Sequence, residues 1–376
     1  MGNEFKKTKV WQVIWGLKDG GAEVLAREYA RLLDKKKFDV TIVTMYPFED
    51  TANYHRAVEE KLKVVSIFKK RNSVTRVVRL LAGKWYVPMV LKRMLKKDRP
   101  DVIHFNSQMA FCFASLKKRL ADINLLYTCH NELNKYFSQK ENEAVRQLSH
   151  KNGLRLIALH EDMRGELDQW FSRNDTVVIR NGVDLCYFRE KGISRDIVRE
   201  RIGIAKDAYV VGHIGRISKQ KNHAFLINVF QELVCRKDNA HLLLVGSGDL
   251  KEQLLEQICQ QKLEKHVTML SHRTDIPDLL HAMDVMVFPS LFEGLSVTLV
   301  EAQASGLRCV ISDLINPANL LSENTIPVSL NADVKEWADI VLNEEIKNTK
   351  YGNIEEYDMG REIRRLERLY LGEQDV

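Results

Sequence analysis

Short runs rich in β-branched residues alternate with segments of helical period along almost the whole chain. Strands joined through a helix run parallel and are covered by helices on both faces, so this alternation predicts an α/β protein with parallel sheets. The strand candidates form two series, KVWQVIW, DVTIVTMY, DVIHFNS, NLLYTCH, LRLIALH and TVVIRNG, then YVVGHIG, HLLLVGSG, HVTMLS, DVMVFPS, RCVISD and IPVSL.

Two series of about six strands predict two Rossmann-like, doubly wound domains rather than one large sheet, and a length of 376 residues agrees with this. We expect a domain at 1–185, a second at 186–355, and a helical tail at 356–376 that packs back across both. Ligands of open parallel sheets bind at the carboxyl ends of the strands. We therefore expect the two sheets to face each other across a cleft that holds the site.

The six cysteines are scattered, and none forms a CxxC pair. Most lie in apolar surroundings, which favours buried free thiols in a reducing cytosol over disulfides or a metal site. The sequence has no apolar run long enough to cross a bilayer and no signal-peptide pattern at its start. These features predict a cytoplasmic protein.

The positive charge is concentrated in residues 61–100, which hold thirteen lysines and arginines against the single acid Asp98. The segment therefore carries +12, whereas the rest of the chain carries −6. A solvated helical face is one interpretation. Nucleic acid is not expected as a partner, because no recognised nucleic-acid-binding module accompanies the charge. An anionic membrane surface is the third interpretation, since Trp85 and Tyr86 lie among the cations.

The stretch SLFEGLSVTLVEAQASG places Glu293 in a loop after a strand and Glu301 inside the following helix. Ser296 is the expected N-cap, and Gly306 is expected to end the helix. Eight helical residues span about 12 Å, which is too far for two carboxylates to share one glycosidic bond. The spacing suits two ends of an extended ligand, with helix amides between them for an anion.

Three other segments carry polar groups at predicted strand ends. GLKDGGAE places Gly20 and Gly21 at a helix start, but it lacks the GxGxxG pattern of dinucleotide sites. GRISKQKN offers Arg216 and Lys221, two cations that can neutralise a diphosphate. A tight turn and a solvated loop are the alternatives for these two segments. YTCHNE puts His130 at a strand end, where a structural role remains the alternative to a catalytic one.

The sequence resembles the retaining glycosyltransferases of the two-Rossmann, or GT-B, type, family 4, and is similar to bacterial capsule and exopolysaccharide enzymes. The resemblance covers nearly the whole chain through GGAE, RPDVIH, TCH, IRNGVD, GR with KN, and FPSLFEGLSVTLVEAQASG. It implies an enzyme that moves a sugar from a nucleotide-sugar donor, expected to be UDP-linked, to a growing surface glycan. It also implies that no metal ion or other cofactor is needed, and that lipid-linked acceptors bring the enzyme to the inner face of the cell membrane.

The resemblance assigns roles to particular residues. Arg216 and Lys221 would bind the donor diphosphate, Glu301 the ribose, and Glu293 the donor sugar. His130 would lie near the reacting sugar, and we group it with Glu293, Arg216 and Lys221 as catalytic. The remaining nucleotide-sugar contacts are expected from Gly20, Gly21, His272, Arg273, Gly294, Leu295 and Ser296.

The chain departs from the family pattern after the helix. Many relatives have a Gly-Gly-x-x-Glu segment where this chain reads SDLINPANLLSEN, and Leu307 and Arg308 replace the frequent small residue and proline. A nucleotide-sugar epimerase or hydrolase on the same fold is one alternative function. An inactive relative that acts as a partner subunit is another, although the glutamates and phosphate-binding cations are present.

Overall fold

The computed structural model describes residues 6–18, 20–130, 137–190, 192–271 and 273–373. The chain forms two compact units, one of residues 1–181 with 360–376 and one of residues 182–359. It therefore passes from one unit to the other twice, after residue 181 and after residue 359. The first unit contains both ends of the chain, so its last helix is part of the same body as its first strand.

The first unit is built on a parallel sheet of seven strands in the order β3-β2-β1-β4-β5-β6-β7. Most positions in β1, β2 and β4 to β6 are buried, as expected for strands covered by helices on both faces. Its strands are β1 Thr8–Ile14, β2 Phe38–Thr44, β3 Lys63–Ser66, β4 Val102–Phe105, β5 Asn124–Thr128, β6 Arg155–Ala158 and β7 Val177–Val178. Its helices are α1 Gly21–Leu32, α2 Ala52–Glu59, α3 Ser73–Lys97, α4 Ala110–Phe113, α5 Gln139–Asn152 and α6 Glu161–Phe171, with a 3₁₀ helix at Ala114–Arg119.

The second unit has a parallel sheet of six strands in the order β10-β9-β8-β11-β12-β13. Its core contains the fully buried side chains of Phe230 and Trp337. Its strands are β8 Tyr209–Ile214, β9 Ala240–Val245, β10 Val267–Leu270, β11 Val285–Phe288, β12 Arg308–Ser312 and β13 Thr325–Val328. Its helices are α7 Leu185–Arg189, α8 Arg195–Arg201, α9 His223–Arg236, α10 Lys251–Gln260, α11 Ile276–Ala282, α12 Val297–Ala304 and α13 Val334–Leu342. Four 3₁₀ helices join them, at Lys219–Lys221, Glu264–His266, Pro317–Asn319 and Ile354–Tyr357.

The last helix, α14 (Met359–Tyr370), is tied to the first sheet by a buried polar network. The Tyr370 hydroxyl accepts a hydrogen bond from Gln12 Nε2 at 2.6 Å and lies 2.7 Å from His104 Nδ1. The other ring nitrogen of His104 is 2.6 Å from the Thr128 hydroxyl. Burial lowers the pKa of His104 to about 3, so the ring is neutral and both its nitrogens have partners. The Tyr370 hydroxyl thus links α14 to β1 and β4, and His104 extends the network to β5.

The two chain segments that leave and enter the second unit lie side by side. Val183 N–H donates to Tyr357 O at 2.8 Å, and Met359 N–H donates to Val183 O at 2.9 Å. A side chain at Gly182 would place its Cβ only 2.7 Å from Met359 Cα. The glycine of the IRNGVD motif is therefore required by close backbone packing.

The long basic helix α3 has two different halves. Towards its end, Val87, Leu91 and Leu95 are buried at intervals of four residues, as expected for a helix packed along one stripe. Its first half instead exposes a set of apolar side chains, which are Val74, Val77, Leu80, Leu81 and Trp85.

The structure corrects three predictions made from the sequence. Strand β3 lies inside the segment that was interpreted only as basic and helical, so the first sheet has one more strand than expected. Tyr86 is stacked on Phe68 with ring centroids 5.0 Å apart, so it packs inward while Trp85 is 75% exposed. The cysteines are all free, but Cys186, Cys235 and Cys259 are exposed rather than buried.

No helix in the described ranges is both long enough and apolar enough to cross a membrane.

We predict that Tyr370→Phe destabilises the first unit. The substitution keeps the ring but leaves Gln12 Nε2 and His104 Nδ1 buried without a partner, which should cost about 2 to 4 kcal/mol. Urea unfolding followed by circular dichroism measures the effect. Tyr351→Phe is the matched control, because that tyrosine is 53% exposed. Equal unfolding midpoints for the two variants would contradict the importance of the network.

Candidate functional site

The second sheet changes strand order between β8 and β11, and the loops after these two strands begin at the same edge. Such switch points are where open α/β sheets bind ligands. Two further contacts join the loops: Leu291 N–H donates to Gln220 O at 2.8 Å, and Gln220 Nε2 donates to Phe292 O at 3.0 Å. These bonds place the GRISKQKN loop against the SLFEGLS loop.

The joined loops bring Lys221 and Glu293 into a buried ion pair. Lys221 Nζ lies 2.8 Å from Glu293 Oε1, and the two side chains are only 13% and 9% exposed. The ammonium group also lies 4.3 Å from the centroid of the Phe288 ring, which gives a cation–π contact. The surrounding protein thus keeps both charged groups away from bulk water and against each other.

Two neutral histidines lie beside this ion pair. The His213 ring is stacked on Phe288 at 5.1 Å and meets the His223 ring edge-on at 4.6 Å. Burial, reinforced by the neighbouring Lys221 charge, lowers the pKa of His223 to about 4. Burial and the nearby His223 put the pKa of His213 well below its ordinary value. The ionic character of this pocket therefore comes from Lys221 and Glu293.

Arg216 has a different environment, although it is only five residues from Lys221. Its side chain is 70% exposed, and Nη2 lies 3.2 Å from Asp249 Oδ2, which is itself 88% exposed. An exposed pair of this kind contributes little to stability. The Arg216 guanidinium is therefore available to an anionic ligand at little cost.

Helix α12 begins directly after the Glu293 loop. Ser296 occupies the N-cap position, as predicted, but its hydroxyl makes no capping hydrogen bond. Its backbone N–H instead donates to Asn319 Oδ1 at 2.8 Å, and Asn319 Nδ2 donates to Gly294 O at 2.7 Å. Glu301 is the fifth residue of the helix and is partly exposed. Gly306 follows the helix with a φ of +78°, as expected for a helix-ending glycine.

The amides at this helix start form a potential anion site. In the described part of the chain, no acceptor is found for the backbone N–H groups of Gly294, Leu295, Val297 and Thr298. Free amides at a helix N-terminus suit a phosphate group. These amides follow directly after Glu293, which is in contact with Lys221, so the main-chain donors and the Lys221 ammonium can bind an anion together.

Comparisons with known proteins identify the family of this chain. Residues 208–343 match the family described as glycosyl transferases group 1, and residues 19–186 match glycosyltransferase family 4. The protein EpsF of Bacillus subtilis (strain 168), named as a glycosyltransferase, is 30% identical over 346 residues, 89% of this chain and 86% of EpsF. This chain belongs to glycosyltransferase family 4.

Two further comparisons concern relatives of this glycosyltransferase. A UDP-Gal:α-D-GlcNAc-diphosphoundecaprenol α-1,3-galactosyltransferase of Escherichia coli is 28% identical over 301 residues, 75% of this chain and 78% of that protein. The crystal structure of Anabaena HepE in complex with UDP and glucose has a TM-score of 0.78 at 22% identity, and covers 97% of this chain and 100% of HepE. The two parallel sheets thus have the GT-B fold, as predicted.

The remaining site candidates of this glycosyltransferase fall into two groups. Arg273 forms a two-pronged ion pair with Asp275, one arm of which is a 2.8 Å bond from Nε to Oδ1, so its charge already has a partner. His272 lies outside the described residues. Gly20, Gly21 and His130 belong to the first unit.

In that unit, α1 begins at Gly21, with Gly20 as its N-cap at the end of the β1 loop. A Cβ on Gly20 would come within 2.4 Å of a Glu23 carboxylate oxygen, so an acid lies at this helix start. Burial lowers the pKa of His130 to about 4. Its Nε2 is buried and has no hydrogen-bond partner among the described residues. His130 is thus a neutral ring, and within the described ranges its Nε2 has no partner.

Sequence reasoning missed several residues that build the site. Gln220 joins the two loops, Asn319 holds the loop before α12, and His213 and His223 lie beside Lys221. Both histidines could have been suspected from the sequence. A histidine is unusual inside an apolar strand such as YVVGHIG, and another one stands at the start of the helix that follows. Nothing in the local sequence around Asn319 indicates that it contacts Gly294 and Ser296.

We predict that Lys221 and Glu293 are strongly coupled in the stability of the second unit. Lys221→Met leaves a buried carboxylate without its cation, and Glu293→Gln leaves a buried ammonium without its anion, so each should cost about 3 to 5 kcal/mol. The double variant should be more stable than either single variant, as measured by denaturant unfolding. The exposed Arg216–Asp249 pair is the control, and its removal should change stability by less than about 1 kcal/mol. Additive losses at Lys221 and Glu293 would contradict the pairing.

Proposed function

We propose that this glycosyltransferase moves a sugar from a UDP-sugar to a growing, lipid-linked surface glycan, with retention of configuration and without a metal ion. The observation that carries the proposal is the buried ion pair of Lys221 with Glu293 directly before the start of α12, where several backbone amides have no acceptor among the described residues. A nucleotide-sugar has the matching order of groups, with a hexose, a diphosphate, a ribose and a base in line.

The diphosphate is the group expected to rearrange the ion pair. Lys221 would turn from Glu293 to the phosphate oxygens, with Arg216 and the helix amides as further donors. Charge accumulates on the diphosphate as its bond to the sugar breaks, and preorganised donors stabilise that charge most in a site that excludes water. Glu293, released from Lys221, would then accept hydrogen bonds from the donor-sugar hydroxyls. Donor binding thereby gives each buried charge a new partner.

The other half of the nucleotide would lie along α12. Glu301 is the fifth residue of α12, more than one turn into the helix that follows the Glu293 loop. It can therefore reach a different part of an extended ligand, and we assign it to the paired ribose hydroxyls. The base is assigned to the strand end near Ser271 and Arg273. These placements follow the order of the groups along a nucleotide-sugar.

The transfer step replaces the bond between the anomeric carbon and the diphosphate by a glycosidic bond and moves one proton. The acceptor hydroxyl oxygen attacks the anomeric carbon on the face from which the diphosphate leaves, which retains the configuration. The proton of that hydroxyl passes to an oxygen of the departing diphosphate, so the products are the extended glycan and UDP. His130, neutral at physiological pH, is assigned a place near the reacting sugar.

Similarity to other proteins supports the choice of donor and acceptor. HepE was crystallised with UDP and glucose, and the Escherichia coli relative is named for a UDP-galactose donor and a diphosphoundecaprenol-linked acceptor. The surface of α3 agrees with such an acceptor. Its exposed apolar side chains precede the exposed cations Lys92, Arg93, Lys96 and Lys97. We propose that this helix docks the protein on the inner, anionic face of the cell membrane.

A ligand screen tests the donor assignment. UDP and UDP-sugars, but not GDP or ADP, should raise the melting temperature in the presence of a chelator. At one hundred times its Kd, a ligand increases the free energy of unfolding by about 2.7 kcal/mol. Turnover of the donor should require an acceptor, whereas an epimerase or hydrolase would convert the donor alone. Strict dependence on Mg²⁺ or Mn²⁺ would contradict the proposed metal-independent reaction.

Arg216→Ala should weaken UDP binding about tenfold or more, because it removes a charge-assisted contact to phosphate. Stability without ligand should not change, since the side chain is largely exposed. Calorimetric titration with UDP gives the affinity. Asp249→Asn is the matched control: it removes the partner of Arg216 and keeps the cation, so affinity should be maintained or improved. Equal losses in the two variants would contradict the role of Arg216.

Binding to anionic vesicles tests the α3 surface. Each cation near an anionic membrane contributes about 1 kcal/mol within a Debye length, so docking should be lost at high salt. Charge reversal of Lys92, Arg93, Lys96 and Lys97 to Glu should abolish co-sedimentation with phosphatidylserine-containing vesicles at low salt. UDP affinity should remain unchanged.

A matched charge reversal controls for net charge. Four exposed lysines of the second unit, replaced by Glu, should leave vesicle binding intact; they are Lys251, Lys262, Lys265 and Lys335. Loss of binding in both variants would show that only net charge matters. Absence of vesicle binding by the wild-type protein at low salt would contradict the docking proposal.

A further inference from the structure

The segment between β12 and β13 holds the donor loop in place through one buried amide. Asn319 is fully buried and ends the 3₁₀ helix Pro317–Asn319. Its Oδ1 accepts from Ser296 N–H at 2.8 Å, and its Nδ2 donates to Gly294 O at 2.7 Å and to Asn316 O at 3.0 Å. Both functional atoms of this side chain are used, and two of the three bonds go to the main chain on either side of Leu295.

The same segment is tied to α12 a second time. Gln303 Nε2 donates to Asn319 O at 2.9 Å and to Leu299 O at 2.9 Å. Gln303 Oε1 accepts from Leu321 N–H and from the Thr325 hydroxyl, each at 2.7 Å. The Asn319 backbone is therefore fixed by a neighbouring buried amide. Its side chain can act as a rigid support because its own position is determined from α12 and β13.

The bonds of Asn319 divide the amides of the loop into two classes. Ser296 N–H is occupied, whereas no acceptor within the described residues is found for Gly294, Leu295, Val297 and Thr298 N–H. Asn319 bonds the main chain before and after Leu295, so it fixes this turn from both sides. The remaining N–H donors of the turn therefore keep one arrangement even when no ligand is bound. Preorganised donors of this kind are worth more than mobile ones, because they need no reorganisation when charge develops.

We propose that Asn319 is a positioning residue of the donor site: it holds the turn 294–296 so that the free amides of 294–298 are preset for the diphosphate. It makes no contact with the donor itself. This inference rests on the proposed nucleotide-sugar site. It also gives a role to the SDLINPANLLSEN segment, where the chain departs from the Gly-Gly-x-x-Glu pattern of many relatives.

Hydrogen exchange tests the positioning without any ligand. In Asn319→Leu, which has a similar volume but neither bond, peptides covering 290–299 should exchange faster than in the wild type. Asn316→Ala is the matched control, because it removes one hydrogen bond of the same 3₁₀ helix, from Ala318 N–H to Asn316 Oδ1, and none to residues 294–296. Unchanged exchange at 290–299 in Asn319→Leu would overturn the proposal.

Nucleotide affinities test the consequence for the diphosphate. Loss of one charge-assisted hydrogen bond to a phosphate weakens binding by roughly ten- to a hundredfold, so Asn319→Leu should weaken UDP by about that factor. UMP, which lacks the second phosphate, should be weakened less, so that the ratio of the two Kd values shrinks. Asn316→Ala should leave the ratio unchanged. If Asn319 merely stabilised the fold, Asn319→Leu would lower the melting temperature and leave the ratio of the two Kd values at its wild-type value. That result would overturn the proposal.

A second variant covers the case in which Asn319→Leu does not fold. Asn319→Asp keeps the acceptor for Ser296 N–H and loses the donor to Gly294 O, so its exchange should be faster than that of the wild type and its UDP-to-UMP discrimination weaker. Both effects should be smaller than those expected for Asn319→Leu. Wild-type behaviour of Asn319→Asp in both measurements would overturn the role of the Gly294 bond. If the wild type binds no UDP, the proposed donor site fails, while the exchange comparison still decides whether Asn319 positions the turn.

Discussion

The ion pair between Lys221 and Glu293 is the constraint on which the second unit's site depends. Both side chains are almost completely removed from water, and their charged groups lie 2.8 Å apart. Such a pair persists only where the backbone holds both residues, because a separated buried charge is costly. Gln220 provides that restraint by bonding the loop after β8 to the loop after β11. A ligand that contacts both Lys221 and Glu293 can break the ion pair, because each buried charge then has a new partner.

The sheet determines where this pair can form. Strands β8 and β11 are neighbours in space but are separated in sequence by β9 and β10, so their loops meet at the point where the strand order reverses. The histidines beside the pair are neutral because burial lowers their pKa, and they add no competing positive charge. The strand order and the two joined loops thus produce a candidate site in which Glu293, paired with Lys221, directly precedes the start of α12 in the chain.

Much of the fold could be predicted from the sequence, because parallel strands buried on both faces leave continuous apolar runs. Strand β3 was missed since its four residues lie among cations and are only partly buried. Glu293, Glu301, Arg216 and Lys221 were chosen as site candidates from their motifs and their order along the chain, and their roles stay predictions. The pairing of Lys221 with Glu293, 72 residues apart, could not be predicted, because it depends on tertiary packing. The support from Asn319 was missed for the same reason.

We propose that donor binding exchanges the partners of the buried ion pair. A crystal structure of the protein with an intact UDP-sugar tests this exchange most directly. Lys221 Nζ should lie within hydrogen-bond distance of a diphosphate oxygen, and Glu293 within hydrogen-bond distance of a sugar hydroxyl. The 2.8 Å contact between the two side chains should then be broken. A nucleotide-sugar bound elsewhere, or bound here while Lys221 and Glu293 remain paired, would contradict the account.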